Sequence, residues 1–483
     1  MLNVSYISYL LGWVLLLMAS TMLVPGFIDL YNHHDEAFVF FLTSGGLVFL
    51  GGLFILLNYS FHPPILTMKE VFLLNASTWI LCIIAAIPPL MFGYMHLSLT
   101  DACFQSTSLI TTTGANVMKG LNQAPAGFLI WCSLLQWLGG KGMILMALII
   151  MPFLRIGGMQ IFHAESADHV EKLLPRIPDV VLQILRIYLV LTLLCAVCLR
   201  ILGLGWCDAV CHGMTTIATG GFSTWDDSIK HIGSLSIQGV MAIFMYIGGC
   251  AFLPLTRLWH SQPWRFFEDQ QVKVYTGLVV SVAVIVGLWH FLESSEAFIP
   301  AMVESFFNVT SAITTTGYVS ADYDHWGDLA LIVFFFLPFI GGCTGSTAGG
   351  VKIFRLQILM AIAKTQLRKL RHPHGVFFPS FNGKPITETI VSSVVAFFIL
   401  FFLTYVLLAL ALGFFELDFL TCLSGASSVL TNVGTGLGSI IGPSGGYSTL
   451  VDPLKWILIL GMILGRLELL TIFILFLPSF WRR

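Results

Sequence analysis

Four short polar runs, each ending in glycine, lie between long apolar stretches of this chain. They are Thr111-Thr112-Thr113-Gly114, Ala218-Thr219-Gly220-Gly221, Thr314-Thr315-Thr316-Gly317 and Thr431-Asn432-Val433-Gly434, with their last glycines 107, 96 and 117 residues apart. The surrounding sequence is 57% hydrophobic and 10% charged, against roughly 25% charged in soluble domains. Its mean hydropathy is +0.89. Such a chain belongs in a bilayer, and irregular backbone at membrane depth persists only where protein covers it or water fills a cavity. Four turns of carbonyls around one axis can replace the water shell of a cation. The pattern therefore predicts an all-α polytopic membrane protein. It would contain four membrane–pore–membrane repeats in a K⁺-channel-like pseudo-fourfold arrangement, preceded by two N-terminal transmembrane helices.

An apolar run of about 20 residues crosses the bilayer core. Two leading spans fall near 7–26 and 37–58. Outer spans follow near 70–94, 179–203, 272–292 and 387–413, and half-length segments near 101–112, 208–218, 303–315 and 418–431. Inner spans lie near 126–152, 234–258, 326–371 and 454–479, the third interrupted. These make ten spans and four half-helices, in units 1–62, 63–165, 166–268, 269–380 and 381–483. The N-terminal stretch lacks the charged region and cleavage site of a signal peptide, so it reads as a permanent helix. The 10 cysteines show no C-x₂-C spacing. Cys82, Cys132, Cys195 and Cys343 sit among apolar residues and read as small hydrophobes.

Charge sets the orientation. Arg155, Lys172, Arg176, Arg257, Arg265, Lys273, Lys352, Arg355, Lys364, Arg368, Lys369, Arg371, Lys384, Arg482 and Arg483 all fall on one side. That side is expected to be cytoplasmic, with both termini inside. The opposite side carries Asp226, Asp227, Asp322, Asp324 and Asp328, with few bases (Lys119 and Lys230). An acidic mouth concentrates cations; a face merely depleted of bases would look the same.

Residues repeat as well as hydropathy. Thr107–Gly114 matches Thr310–Gly317 at seven of eight positions. Asp101, Asp208 and Glu304 each precede their glycine by 13 residues, where an acid suits the N-terminus of a half-helix. The fourth unit has Thr421 at that offset, with Asp418 nearby. Gly139-Gly140, Gly248-Gly249 and Gly341-Gly342 follow their turns by 24 to 28 residues, with Gly461 in a similar place; such pairs fit close helix packing. Glycine in each turn permits φ > 0 and close carbonyl approach.

The third inner span holds five glycines within Ile340–Gly350, each costing a helix about 1 kcal/mol relative to Ala. It reads either as a mobile loop that can block a pathway or as a packing kink. The lysine spacing of a Walker phosphate loop is absent. Arg466 lies thirteen residues past Pro453, about 20 Å down its helix at 1.5 Å per residue. A cation there needs a partner or a wet cavity. It would serve as a positive barrier or as a clamp on the carbonyls of 341–350. Glu468 would face away from it on the same helix. Lys141 either snorkels to the interface or faces a pore.

The four turns, the Gly341–Gly350 break followed by Val351-Lys352-Ile353-Phe354-Arg355, and Gly465-Arg466-Leu467-Glu468 resemble the TrkH/TrkG branch of the Trk/Ktr/HKT potassium transporter superfamily. The two leading spans favour that branch, and the resemblance covers essentially the whole chain. It implies K⁺ uptake across the bacterial inner membrane by a channel-like, K⁺/Rb⁺-selective homodimer with one pore per protomer. It also implies gating by a cytoplasmic TrkA-type regulator that binds NAD(H) and adenine nucleotides. K⁺ would be the transported ion, with no organic cofactor on this chain and no nucleic-acid partner. The filter would comprise Thr112, Thr113, Gly114, Thr219, Gly220, Gly221, Thr315, Thr316, Gly317, Asn432, Val433 and Gly434. The gate would comprise Gly341, Gly342, Cys343, Thr344, Gly345, Ser346, Thr347, Ala348, Gly349, Gly350 and Arg466. Relatives with Ser at the first filter glycine pass Na⁺ more readily, so Gly114 implies K⁺ and Rb⁺ over Na⁺. Lys141 departs from the usual apolar residue of the branch, and Thr435 from proline.

A secondary transporter coupling K⁺ to H⁺ or Na⁺ is the competing class, and such carriers usually set ionisable residues near the midplane. The four turns contain none. An intramembrane enzyme has little support. His163, His212 and His290 are scattered without an H-E-x-x-H pattern, and Ser346 is not in a G-x-S-x-G elbow.

Overall fold

The computed structural model describes residues 3–59, 66–154, 177–259, 266–294 and 296–481. Arg155, His163, Lys172, Arg176, Arg265, Arg482 and Arg483 lie outside the described residues, as does the expected boundary at 165/166. The chain is almost entirely helical. A two-residue antiparallel ladder, β1 (Ser380–Phe381) with β2 (Lys384–Pro385), pairs Phe381 with Lys384.

Helices α1 (Val4–Tyr31) and α2 (Ala37–Asn58) form an apolar hairpin. Gly12 and Gly51 let the two backbones approach, since a Cβ on Gly12 would lie 2.8 Å from the Gly51 carbonyl oxygen. The Asp29 carboxylate accepts the Gly127 N–H at 2.8 Å, fastening the hairpin to the first quarter. There, α3 (Met68–Phe92) starts at a Thr67/Glu70 capping box. The half-length α4 (Leu99–Ile110) follows, then α5 (Ala126–Leu154).

The second quarter runs through α6 (Ile177–Ile201), the short α7 (Trp206–Ile217), α8 (Leu235–Gly248) and α9 (Phe252–Trp259). The third has α10 (Gln270–Glu293), α11 (Phe298–Ile313), α12 (Asp328–Ile340) and α13 (Ile353–Arg371). The fourth has α14 (Glu388–Gly413), α15 (Phe419–Thr431), α16 (Asp452–Arg466), α17 (Leu469–Phe476) and the four-residue α18 (Pro478–Trp481). Six described helices, α1, α2, α3, α6, α10 and α14, are each long and apolar enough to cross a membrane, and the bent pair α16/α17 would add a seventh. Their lipid-ready faces are rich in exposed Leu, Phe, Ile and Val.

Three inner segments are broken, where the sequence pointed to one. The second stops at Gly248 and resumes at Phe252. The fourth bends by 110° between Arg466 and Leu469. The second and third breaks share their backbone bonding. Cys343 N–H donates to the Gly249 carbonyl at 2.9 Å, and Phe252 N–H donates to the Gly345 carbonyl at 3.0 Å. The 341–352 loop thus takes over the bonds that helix continuation would have used, so neither break leaves its backbone unpaired in an apolar setting.

Candidate functional site

Each half-length helix ends in the same turn. A backbone bond closes it five residues back: Thr113 N to Ser108 O, Gly220 N to Thr215 O, Thr316 N to Ser311 O and Val433 N to Ser428 O, all 2.8–2.9 Å. This is the closing bond of a Schellman-type helix end, which requires a left-handed residue. Thr112, Thr219, Thr315 and Asn432 take that role with φ of 53°, 49°, 55° and 58°. Two residues on, Gly114, Gly221, Gly317 and Gly434 are again left-handed, with φ between 73° and 85°.

The four turns close on one another in order. A Cβ on Gly114 would fall on the Gly220 carbonyl oxygen, one on Gly221 on that of Thr316, one on Gly317 on that of Val433, and one on Gly434 on that of Thr113. Only a ring in which each quarter abuts the next gives that cycle. The four glycines line the floor of one open cleft, with Asp226 on its wall. A side chain at any of them would meet backbone, which cannot yield as a flexible side chain could.

Side chains lock the ring. Gln136 donates through Nε2 to the Gly220 carbonyl at 2.6 Å and accepts the Phe222 N–H at 3.1 Å. Asn432 Nδ2 donates to Thr113 Oγ1 at 2.9 Å and to the Met462 carbonyl at 3.0 Å. The hydroxyls of Thr111 and Thr113 pair at 2.7 Å, as do those of Thr314 and Thr316. Ser108 and Ser311 donate to the carbonyls of Ala115 and Tyr318.

Acids sit where helix dipoles favour them. Asp101 and Asp208 lie in the first turns of α4 and α7. Asp418 caps α15 by accepting the Thr421 N–H, so the fourth quarter supplies its acid from the cap position. Glu304 differs: α11 begins at Phe298, which leaves Glu304 in the second turn. Around the cleft, Asp226 accepts the N–H groups of Gly120 and Leu121 at 2.8 and 3.0 Å. Asp324 accepts that of Gly438 at 2.8 Å. Burial pushes the Asp324 carboxyl up to about 6.

Directly on the other side of the ring lies the 341–350 loop. Its residues through Gly349 are buried, and Gly341, Gly345 and Gly350 are left-handed. Gly349 N–H donates to Thr315 Oγ1 at 2.7 Å, and Gly350 N–H to the Thr431 carbonyl at 3.1 Å. Thr347 Oγ1 reaches the carbonyls of Ile217 and Gly248, each at 3.1 Å. The loop is therefore bonded to the ends of three half-helices. Arg466 is 1% exposed, and its Nη1 donates to the Thr347 carbonyl at 3.1 Å. Of the two placements open from the sequence, this contact is the one a clamp on the loop would make.

Glu468 corrects an expectation. It is not on the helix of Arg466, because the chain turns at Glu468 with φ 58°. Its carboxylate meets Arg355 Nη2 at 3.0 Å and Lys352 Nζ at 3.6 Å. The signal was an acid within an apolar stretch; its partners could not be read without the bend. Gln136 was likewise missed, although a lone Gln amid apolar residues marks a buried polar need. Gly461 does not hold the place expected of it. A Cβ on Gly465 would fall on the Leu430 carbonyl oxygen, as one on Gly139 would on that of Ile110, whereas Gly461 faces the Val429 side chain. Lys141 is half-buried, with its ammonium 5.7 Å from the Trp137 ring centre.

Comparison with known proteins places these features in context. The TrkH family, described as cation transport proteins, matches residues 56–483. The potassium uptake protein TrkI of Halomonas elongata is 39% identical, over 97% of this chain and 95% of its own length. The potassium uptake protein TrkH of Escherichia coli is 32% identical over 99% of both chains. The crystal structure of the potassium transporter TrkH from Vibrio parahaemolyticus superimposes with a TM-score of 0.91, at 31% identity and 99% coverage of both chains.

Proposed function

The chain belongs to the TrkH family of cation transport proteins, and from that premise we propose that it is the K⁺-translocating subunit of a bacterial potassium uptake system. The observation that carries the reading is the closed ring of four glycine turns, each abutting the carbonyl of the next. Carbonyl rings substitute for the hydration shell of K⁺. Thr112–Gly114, Thr219–Gly221, Thr315–Gly317 and Asn432–Gly434 form the selectivity filter, and translocation is channel-like. The protein works in transport and not as an enzyme.

Gly341–Gly350 and Arg466 form the gate, shut in this arrangement because the loop is bonded to the helix ends beneath the ring. The division of the chain is 1–62, 63–165, 166–268, 269–380 and 381–483. The protein sits in the inner membrane with both termini cytoplasmic, since the exposed bases Lys364, Arg368, Lys369 and Arg371 cluster on α13, away from the acidic cleft. It acts as a homodimer. A TrkA-type regulator that binds NAD(H) or adenine nucleotides docks on that basic face and pulls α13, shifting the loop between two populations.

The test is Rb⁺ flux into proteoliposomes with Na⁺ as competitor, for the native protein and Gly114→Ser. Flux that resists Na⁺ in the native protein and loses that preference in the variant is the expected result. Where flux needs the regulator, it is supplied with nucleotide. A requirement for a proton or Na⁺ gradient would instead assign coupled transport.

A further inference from the structure

Away from the ring, on the acidic side of the molecule, three side chains from three different elements converge. His290 comes from the last turn of α10, Glu296 from the connector that follows, and Glu304 from α11. Their nearest ligand atoms all lie within 4.8 Å of one another. His290 Nε2 is 3.3 Å from Glu296 Oε2 and 4.0 Å from Glu304 Oε2. The histidine side chain is 5% exposed, yet neither ring nitrogen makes a well-formed hydrogen bond to a described residue. A buried imidazole whose nearest polar contact is a carboxylate at 3.3 Å is under-satisfied, which is costly. This one is also held in place. Its ring stacks on Trp326 at 4.0 Å between centres, and Trp326 is fixed in turn by the Trp289 indole donating to its carbonyl at 2.9 Å.

We propose that His290, Glu296 and Glu304 form a binding site for a divalent transition-metal ion, with Zn²⁺ as its natural fit. One imidazole and two carboxylates are a borderline-soft donor set that suits Zn²⁺ better than Mg²⁺ or Ca²⁺, which prefer all-oxygen shells. Tetrahedral ligands about 2.0–2.1 Å from zinc stand about 3.3 Å apart. The His290–Glu296 pair already has that spacing, and the other atoms need to move by an ångström or so. Glu296 and Glu304 retain 44% and 18% exposure, which provides an entry path and room for water as a fourth ligand. The ion would tie the end of an outer helix to the half-helix that leads into Thr314–Gly317. It would therefore hold one quarter of the ring from outside the ring.

The experiment uses the full-length protein in detergent, stripped with chelator and titrated with ZnCl₂ by calorimetry, with retained zinc counted after desalting. The native protein should bind one Zn²⁺ per chain at this site, and excess Ca²⁺ should not displace it. His290→Ala should lose that ion. Glu296→Gln, on the exposed connector, should weaken binding by at least the roughly tenfold that loss of even an outer-shell partner costs. Zinc-edge X-ray absorption should report one imidazole among oxygen ligands. Absence of zinc binding in the native protein, or equal binding in both variants, would overturn the assignment. Should His290→Ala fail to fold, Glu296→Gln and the absorption spectrum decide it alone.

Discussion

Three of the four left-handed turn positions are threonine, a residue that avoids φ > 0 because its branched Cβ crowds the backbone. Such strain costs of order 1–3 kcal/mol at each position. The hydroxyls show why threonine is kept at two of them. Thr315 Oγ1 accepts the Gly349 N–H, and Thr219 Oγ1 donates to Thr347 Oγ1, so the strained residues bind the loop beneath. Thr112 Oγ1 has no partner among the described residues, and no contact explains its threonine. The sequence revealed which residues form the turns, because small polar residues between spans are conspicuous. It did not reveal their φ values, since nothing local in Thr-Thr-Thr-Gly calls for a left-handed threonine. A pH prediction belongs at this scale. Asp324 ordinarily titrates at 3.8 and is raised to about 6, chiefly by burial. A raised carboxyl favours the fold while protonated. Its contribution is full below about 4 and is lost as pH rises through about 6. Asp324→Asn keeps an oxygen for the Gly438 N–H and removes the titration. Thermal unfolding followed from pH 4 to 8 should show the native protein losing stability relative to the variant across pH 4–6, with a constant difference above.

Helix breaks dominate the element scale. The glycine-rich third inner segment announced its break in composition. The second did not, because Gly-Gly alone is compatible with a packed helix and the break depends on bonds from a loop almost 100 residues later. The fourth break was hidden for a similar reason. Arg-Leu-Glu reads as ordinary helix until Lys352 and Arg355 are placed beside Glu468. That cluster sets two cations against one buried carboxylate, with Arg355 also 4.0 Å from the Phe397 ring centre. Removing one partner of a buried pair costs about 3–5 kcal/mol. Glu468→Gln should therefore lower the thermal midpoint, and adding Lys352→Met should recover part of the loss, which a double-mutant cycle would read. The loop has the opposite sign in a flux assay. Deleting part of 343–348 should raise Rb⁺ flux without regulator, because it removes the bonds from Thr347 to the helix ends. Unchanged flux would mean the loop packs and does not gate.

At the scale of the whole molecule, the ring is closed by residues distant in sequence. Gly434 against Thr113 spans most of the chain. The sequence pointed to four related quarters through repeated residues. It could not order them around an axis, because hydropathy carries no lateral information. The charge distribution was legible in the same one-dimensional way, as acids near the turns and bases at the other ends of helices. In three dimensions bases gather on the helix that directly follows the loop. α13 starts at Ile353, immediately after the loop, and carries Lys364, Arg368, Lys369 and Arg371 on its exposed far end. A force applied there would act on the helix that begins directly after Gly350–Lys352. If the regulator pulls through this surface, replacing the four bases by Gln should leave basal Rb⁺ flux unchanged while abolishing stimulation by regulator and nucleotide. Surface charges of this kind contribute little to stability, so the thermal midpoint should stay near the native value. Equal stimulation of native and substituted proteins would mean that these bases face anionic lipid and that the regulator grips elsewhere. Loss of basal flux as well would tie the charges to conduction itself.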